Sequence, residues 1–198
     1  ILRAFIGYQI ADLNNRYWRN RDGDGKWRWI AADLEHAFGQ LGGDPVSENT
    51  IAKLAGLSGD LPEWATLLFN QLLQNPGFRD GFIQRSAAYL NTIFLPAITL
   101  ATVDSLKNLL QTQMPRHIGR WQSPPSLQAW QGNINAVKGF LEQRPAYYRQ
   151  HLTEMFGKQD SALVAMQIVG QGKVLLSGVA FSRNMEGKKK KNARIQLQ

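Results

Sequence analysis

The sequence predicts an α+β fold that is mostly helical, with one small β-hairpin near its start and a short β segment near its end. Three observations support this prediction. Two aromatic-rich runs flank a dense turn signal in the first forty residues, apolar residues recur at helical spacing from about residue 61 to residue 156, and short apolar runs separated by glycines follow. The chain has 198 residues, of which 43% are hydrophobic and 19% charged, as is ordinary for a globular protein.

Composition excludes several functional classes. The chain has no cysteine, so a disulfide framework, a thiolate nucleophile and thiolate metal sites are all excluded. The net charge is +8, but residues 181–198 alone hold six basic residues and one acidic residue. We interpret that stretch as a frayed, solvated terminus, with a polyanion-binding arm as the weaker alternative, and expect no specific nucleic-acid partner. The apolar stretch near residues 93–103 is too short for a transmembrane segment.

The first element is a β-hairpin, predicted at residues 16–20 and 26–31 because both runs are rich in aromatic residues. Between them, residues 20–25 read Asn-Arg-Asp-Gly-Asp-Gly, a strong turn signal. The same residues are similar to the opening of a calcium loop, which is an alternative interpretation. However, Ala31 stands at the twelfth position, where such a loop needs a bidentate Glu.

Residues 61–156 are predicted to form amphipathic helices. The signals that start and stop them are Asn75-Pro76, Ser126, Arg144-Pro145 and Gly157. One apolar stripe, interpreted as core, consists of Leu106, Leu109, Leu110 and Met114. Residues 39–60 show no period and are predicted to be a linker.

The C-terminal part indicates a second hairpin, formed by residues 162–169 and 174–179. We interpret residues 158–198 as the start of a truncated β-rich segment that ends in a basic tail. Residues 1–157 then form a separate domain.

Polar residues gather at the open end of the first hairpin. If its turn is centred near residue 24, the numbers of facing residues sum to about 48, which places Asn15 beside Asp33 with Cβ atoms about 5 Å apart. Asp12, Asn14 and Glu35 are close in sequence, and all five residues offer the oxygen ligands that Mg²⁺ prefers. Two alternatives stay open, because Asp and Asn also favour strand ends and turns, and because Asp33 with Glu35 also suits the acid–base chemistry of a glycosidase.

Three segments carry a resemblance to a known family. They are residues 12–19 (Asp-Leu-Asn-Asn-Arg-Tyr-Trp-Arg), residues 25–30 (Gly-Lys-Trp-Arg-Trp-Ile) and residues 33–39 (Asp-Leu-Glu-His-Ala-Phe-Gly). In this order they resemble the spore-coat CotH kinase family, which is similar to atypical protein kinases. The resemblance covers about residues 1–157 and implies the C-terminal lobe of a protein-kinase-like domain, with the hairpin at its site. It also implies that the N-terminal lobe lies upstream of Ile1, outside this chain.

The resemblance implies a role for each of the five polar residues. Asp12 matches the catalytic Asp that orients the substrate hydroxyl and accepts its proton. Asn15, or Asn14, matches the Asn that holds a metal ion, and the choice stays open because the interval from Asp12 is shorter than the family's usual spacing. Asp33 matches the Asp that carries Mg²⁺ on the ATP phosphates. Glu35 stands where the family commonly has Asp, and is a further metal ligand, directly or through water.

The function implied by the resemblance is Mg²⁺-dependent phosphoryl transfer from ATP to Ser or Thr of a protein substrate. The intact protein is then expected to be extracellular, or at the cell or spore surface. The 198-residue chain alone is expected to bind ATP poorly, since the phosphate-contacting Lys would lie in the upstream lobe. The alternative is a catalytically silent surface or adhesion protein that uses the kinase-like scaffold for partner binding.

Overall fold

The computed structural model describes residues 1–7, 16–30, 34, 36–39, 46–157, 161–169, 171, 173–176, 179–181 and 184–190. Its helices are α1 (Leu2–Phe5), α2 (Thr50–Leu54), α3 (Glu63–Gln74), α4 (Pro76–Leu90), α5 (Pro96–Leu110), α6 (Met114–Trp121) and α7 (Leu127–Phe156). Its strands are β1 (Arg16–Trp18), β2 (Arg28–Ile30), β3 (Ser161–Met166), β4 (Val174–Leu176), β5 (Val179–Phe181) and β6 (Met185–Lys190). The strands pair as antiparallel two-stranded sheets, β1 with β2, β3 with β6 and β4 with β5. The predicted mostly helical α+β fold is confirmed.

None of the helices in the described part of the chain combines the length and the apolar character that crossing a membrane requires.

The helix caps follow the sequence signals. The side-chain oxygen of Asn75 accepts a hydrogen bond from the backbone N–H of Phe78 at 3.0 Å, which caps α4. The hydroxyl of Ser126 likewise accepts from the N–H of Ala129 at 3.0 Å and caps α7. Gly157 follows the last residue of α7 with a φ of +74°, a conformation that glycine adopts without strain.

Helix α7 is one continuous helix of 30 residues, so the prediction that a new helix begins at Arg144-Pro145 is wrong. A proline inside a helix lacks the backbone N–H that would complete one hydrogen bond, which is why the sequence indicated a break. Pro145 is buried here, as are its neighbours Arg144 and Tyr148. Tertiary packing of this face therefore holds the helix together through the proline.

The main core lies where α7 crosses α1, α2 and α4. The ring of Phe5 stacks on the ring of Phe94 with centroids 3.8 Å apart and meets the ring of Tyr148 edge-on at 5.8 Å. Phe5 and Tyr148 are fully buried. Burying side chains of this size contributes about 2 kcal/mol each, so these contacts fix the short helix α1 against α7.

Helix α5 is packed on one side only, which corrects the prediction that the stripe of Leu106, Leu109 and Leu110 is core. All three leucines are exposed, and only Met114, the fourth member of the stripe, is buried. Other side chains of α5 face α7, and a groove of about 640 Å³ between α1, α5 and α7 stays open. Helical spacing identifies an apolar face but not whether another element covers it.

The C-terminal strands pair differently from the predicted hairpin of residues 162–169 and 174–179. Strand β3 pairs with β6, which is distant in sequence, and β4 pairs with β5. Lys188 faces Leu163 within the β3–β6 ladder, so this part of the predicted frayed tail is a strand. The sequence predicted strands in this part of the chain, but no local signal specifies which strands pair. Residues 191–198 lie outside the described residues.

The predicted linker, residues 39–60, contains helix α2, which was missed because five residues are too few to show a helical period. Asn49 caps it by accepting the N–H of Ala52 at 3.1 Å. Gly56 follows α2 with a φ of +77°, in the left-handed region that favours glycine. Gly56 lies close to Thr66 of α3, so a substitution at Gly56 tests how closely the chain after α2 approaches α3.

Replacing Gly56 by Ala is expected to lower the free energy of unfolding by about 2 kcal/mol. The new Cβ would lie 2.7 Å from the hydroxyl oxygen of the buried Thr66, in addition to the strain of a positive φ. The matched control is Gly59→Ala, which has a φ of +75° but no atom within 4 Å of its Cβ. The Gly59→Ala variant should lose only about 1 kcal/mol of its free energy of unfolding. If urea unfolding shows the same loss of free energy for both variants, Gly56 does not lie as close to Thr66 as the structure indicates.

Candidate active site

The predicted site depends on the ribbon formed by β1 and β2, which is confirmed as a hairpin with shorter strands than expected. Arg16 faces Ile30, Tyr17 faces Trp29 and Trp18 faces Arg28. The numbers of facing residues therefore sum to 46, and the predicted sum of 48 is wrong by two residues. Since side chains alternate between faces, a shift of two leaves the same residues on each face of the ribbon.

Polar contacts in the turn explain the observed register. The side-chain oxygen of Asn20 accepts the N–H of Asp22 at 3.0 Å, which centres the turn near Gly23. Asp24 accepts two hydrogen bonds from the guanidinium of Arg28, at 3.0 and 2.7 Å. These hydrogen bonds, more than any other contact, lower the pKa of Asp24 below its ordinary value. The carboxylate of Asp24 is thus held by Arg28, which does not favour the calcium-loop alternative.

The five predicted site residues lie outside the described residues. They are Asp12, Asn14, Asn15, Asp33 and Glu35. Their assignment therefore stays a prediction. The direct facing of Asn15 and Asp33 relied on a sum of 48, which the observed sum of 46 in the ribbon does not support. The described part of the chain contains no group of three or more His, Cys, Asp or Glu side chains placed to hold a metal ion.

Two fixed points bracket the segments that contain these residues. At one point the carbonyl of Ile6 accepts the backbone N–H of Phe38 at 2.8 Å. At the other, Arg16 pairs with Ile30 in the ribbon. The chain from residue 7 to residue 15 and the chain from residue 31 to residue 37 consequently connect the same two points. Phe38 adopts a φ of +56°, which is unusual for a residue other than glycine.

Arg144 fastens the first of these points to α7. Its side chain is fully buried. Nε donates to the carbonyl of Phe5 at 2.9 Å, and Nη2 donates to the carbonyl of Ala4 at 2.9 Å. These are the last residues before Ile6, so the guanidinium holds the C-terminal end of α1, next to the Ile6–Phe38 hydrogen bond.

The same guanidinium also holds the segment that leads into α2. Nη1 donates to the carbonyls of Val46 and Glu48, at 2.6 and 2.9 Å, and Nη2 donates to the hydroxyl of Thr50 at 2.6 Å. Thr50 in turn donates to the carbonyl of Ala4. One side chain of α7 therefore ties together the end of α1 and the start of α2. The sequence predicts a helix start at this position, and no local signal identifies Arg144 as an anchor.

Burial changes the ionisation of the groups in this cluster without removing the charge of Arg144. Desolvation lowers the pKa of Arg144 to about 10, so the guanidinium is still protonated at neutral pH. Burial raises the pKa of Tyr148 to about 12, so its hydroxyl stays neutral. A permanent cation surrounded by carbonyl oxygens is a rigid anchor, since each N–H has a fixed direction.

Comparison with known proteins identifies the family. The family model described as CotH kinase protein matches residues 4–148. The chain belongs to the CotH kinase family. Neither curated proteins nor solved structures gave a match.

The CotH match spans the features described above. It begins in α1, includes the ribbon and both segments with the predicted site residues, and ends at Tyr148, just beyond Arg144. Strands β3–β6 lie outside it. The resemblance on which the site assignment depends is therefore confirmed at the level of the CotH kinase family.

In this CotH kinase family member, stability is expected to decrease below about pH 6.5 because of His151. The imidazole is buried, and its Nδ1 has no hydrogen-bond partner among the described residues. Desolvation and the nearby charge of Arg144 lower its pKa below the ordinary 6.5, whereas Glu154 and the carbonyl of Ser47 raise it less. The fold thus favours neutral imidazole, and the unfolded chain takes up a proton first as the pH falls.

The measurement is urea unfolding at about pH 8 and about pH 5, compared between wild type and His151→Gln. Glutamine keeps a donor for the carbonyl of Ser47, which lies 3.0 Å from Nε2. Wild type should lose more stability than the variant on acidification. An identical loss in both proteins would show that His151 does not titrate differently on folding.

Proposed function

We propose that the intact protein is a kinase-like enzyme that transfers the γ-phosphoryl group of ATP to Ser or Thr of a protein substrate, with Mg²⁺ required. Membership of the CotH kinase family supports this proposal. The substrate is proposed to be a secreted, surface or spore-coat protein, and the enzyme to act in the same extracellular or surface location.

The observation that carries the proposal is the pair of fixed points at the two ends of the candidate site. The segment with Asp12, Asn14 and Asn15 and the segment with Asp33 and Glu35 both run between the Ile6–Phe38 hydrogen bond and the β1–β2 ribbon. Two short segments with the same end points favour the approach of their polar side chains. The donor set, carboxylate and amide oxygens, fits Mg²⁺.

Each residue has a proposed task. Asp12 orients the substrate hydroxyl and accepts its proton, Asn15 or Asn14 and Asp33 hold the metal, and Glu35 adds a carboxylate to the same site. When bound, Mg²⁺ supplies countercharge for the phosphate oxygens. Because the transition state of phosphoryl transfer spreads negative charge over oxygens, positioning and countercharge provide most of the rate. The Arg144 anchor serves this requirement by holding the chain where it enters the site.

The test is nucleotide binding and transfer by the full-length protein. Calorimetry should show saturable ATP binding that requires Mg²⁺, and labelled γ-phosphate should appear on Ser or Thr of a co-incubated protein fraction. ATP binding that is absent, or that is independent of Mg²⁺, would contradict the proposal.

A second candidate function is partner binding without catalysis, on the same scaffold. The observation that favours it is the exposure of large aromatic residues on both faces of the ribbon. A full-length protein that binds no nucleotide but retains a protein partner would support this candidate.

A further inference from the structure

The ribbon of residues 16–30 carries large aromatic side chains that the described part of the molecule does not cover. Tyr17 is 61% exposed, Trp29 is 55% exposed and Trp27 is 52% exposed. Trp18, on the other face, is 48% exposed. A two-stranded ribbon on its own is only marginally stable, and indole rings at this exposure are typical of interaction sites.

Each face combines aromatic rings with a guanidinium. Tyr17 lies beside Trp27 and Trp29, with ring centroids 5.4 and 6.4 Å away, and the guanidinium of Arg19 lies 5.1 Å from the Trp27 centroid. On the opposite face, the guanidinium of Arg28 lies 5.2 Å from the ring centroid of its neighbour Trp18. Both faces therefore offer apolar contact and positive charge together.

The turn adds cations that no described carboxylate neutralises. Arg19, Arg21 and Lys26 form no ion pair with any described carboxylate, whereas Asp24 is paired with Arg28 at 2.7 Å. Asp22 is the other acidic residue in the turn. The ribbon thus has an excess of positive charge and complements a partner that is acidic.

We propose that the ribbon docks an extended acidic segment of a protein partner, which adds to the edge of β1 or β2 as a third strand. Successive side chains of an added strand point to opposite faces of a sheet. An added strand would therefore use the aromatic and cationic groups on both faces of this ribbon at once. Main-chain hydrogen bonds would supply affinity, and acidic side chains beside Arg19 and Lys26 would supply selectivity.

The same observations argue against nucleic acid and membrane as the partner. Tyr17 and Trp27 meet at an interplanar angle of 74°, so their rings are not parallel platforms for successive bases. Residues 19–26 at the tip are polar or charged apart from two glycines, and include Asp22 and Asp24. A hairpin that inserts into a lipid surface would need apolar residues at its tip.

The experiment measures the fluorescence anisotropy of a labelled peptide of repeating Val-Val-Glu-Glu, which presents both residue types on each face of an added strand, titrated with the 198-residue chain. Saturable binding of this Val-Glu peptide that weakens with added salt is expected, and the matching Val-Val-Lys-Lys peptide should not bind. Arg19→Glu combined with Lys26→Glu should weaken binding about tenfold or more. Trp29→Ala should weaken it to a similar extent, because truncating an aromatic anchor removes much of the contact. No nucleotide is needed, so this result is independent of phosphoryl transfer.

Matched controls lie on α6. Arg116→Glu combined with Arg120→Glu makes the same charge change, and Arg120 lies 4.7 Å from the ring centroid of the exposed Trp121, as Arg19 lies over Trp27. These variants, and Trp121→Ala, should bind the peptide like wild type. Far-UV circular dichroism should show unchanged helicity in every variant.

Four outcomes would overturn the proposal. The first two are that the Val-Glu peptide shows no saturable binding, or that the α6 variants weaken its binding as much as the ribbon variants do. The third is that a Val-Glu peptide with alternate backbone nitrogens methylated binds as tightly as the unmodified peptide. The fourth is that oligothymidylate or phosphatidylserine vesicles bind more tightly than the peptide and that the ribbon variants abolish this binding. The methylated peptide lacks the N–H groups that strand addition requires.

Discussion

Replacing Arg144 by Met is expected to lower the free energy of unfolding by about 4 kcal/mol, among the largest effects of any single substitution in this chain. Methionine is apolar and replaces the stem of the arginine but not its guanidinium, so the effect reports the lost hydrogen bonds together with the space that the guanidinium filled. The buried carbonyl of Phe5 would lose its arginine donor, and the buried carbonyl of Ala4 would keep only the hydroxyl of Thr50. The part-buried carbonyl of Val46 would also lose a donor. Leaving such groups unsatisfied costs about 1–3 kcal/mol each before the structure relaxes.

The matched control is Arg149→Met on the same helix. Arg149 is exposed, and it donates to the carbonyl of Leu90 at 3.0 Å and to the side chain of Asn91 at 2.9 Å. Its loss should cost about 1–2 kcal/mol in urea unfolding. If both variants lose the same free energy of unfolding, the hydrogen bonds of Arg144 contribute no more to stability than those of Arg149.

A second measurement tests whether Arg144 positions the candidate site. Arg144→Lys keeps the charge, but three ammonium hydrogens cannot satisfy acceptors on both α1 and the segment before α2. In this variant the backbone N–H of Phe38, which donates to Ile6, should exchange with solvent faster than in wild type. Unchanged exchange at Phe38 with reduced global stability would limit Arg144 to a structural role away from the site.

The ribbon shows what local sequence can and cannot specify. Aromatic runs around a turn signal identified both strands, because strand preference and turn preference are carried by neighbouring residues. The register was wrong by two because two side-chain contacts, Asn20 with Asp22 and Asp24 with Arg28, decide where the turn is centred. Such contacts depend on geometry within the loop, which composition does not reveal.

Longer-range features were not predicted from the sequence for a different reason. The pairing of β3 with β6 and the exposure of the leucines on α5 depend on which surfaces meet in three dimensions. Arg144 is the clearest example, since its acceptors come from residues 4–5 and 46–50, far from it in sequence. The family resemblance supplied what periodicity could not, because an ordered set of motifs identified the family, while the site residues that it implies stay predictions.

Replacing Asp33 by Ala in the full-length protein is expected to reduce phosphoryl transfer by about 10³-fold or more, and to remove Mg²⁺-dependent nucleotide binding. In the proposed site this carboxylate holds the metal, so its loss should decrease both ground-state binding and transition-state stabilisation. The control is Asp60→Ala, since that exposed carboxylate makes only a 3.8 Å contact with Lys53. Undiminished transfer by the Asp33 variant would contradict the metal assignment.

Asp12→Ala separates the two proposed roles. A residue that only orients the hydroxyl and accepts its proton is not needed to hold the nucleotide, so this variant should retain Mg²⁺-dependent ATP binding while transfer falls by about 10²–10⁴-fold. The Asp33 variant should lose both activities. If Asp12→Ala loses nucleotide binding and Asp33→Ala keeps it, the two assignments are reversed. If wild type binds nucleotide but none of these substitutions affects transfer, the phosphoryl-transfer chemistry lies elsewhere in the protein.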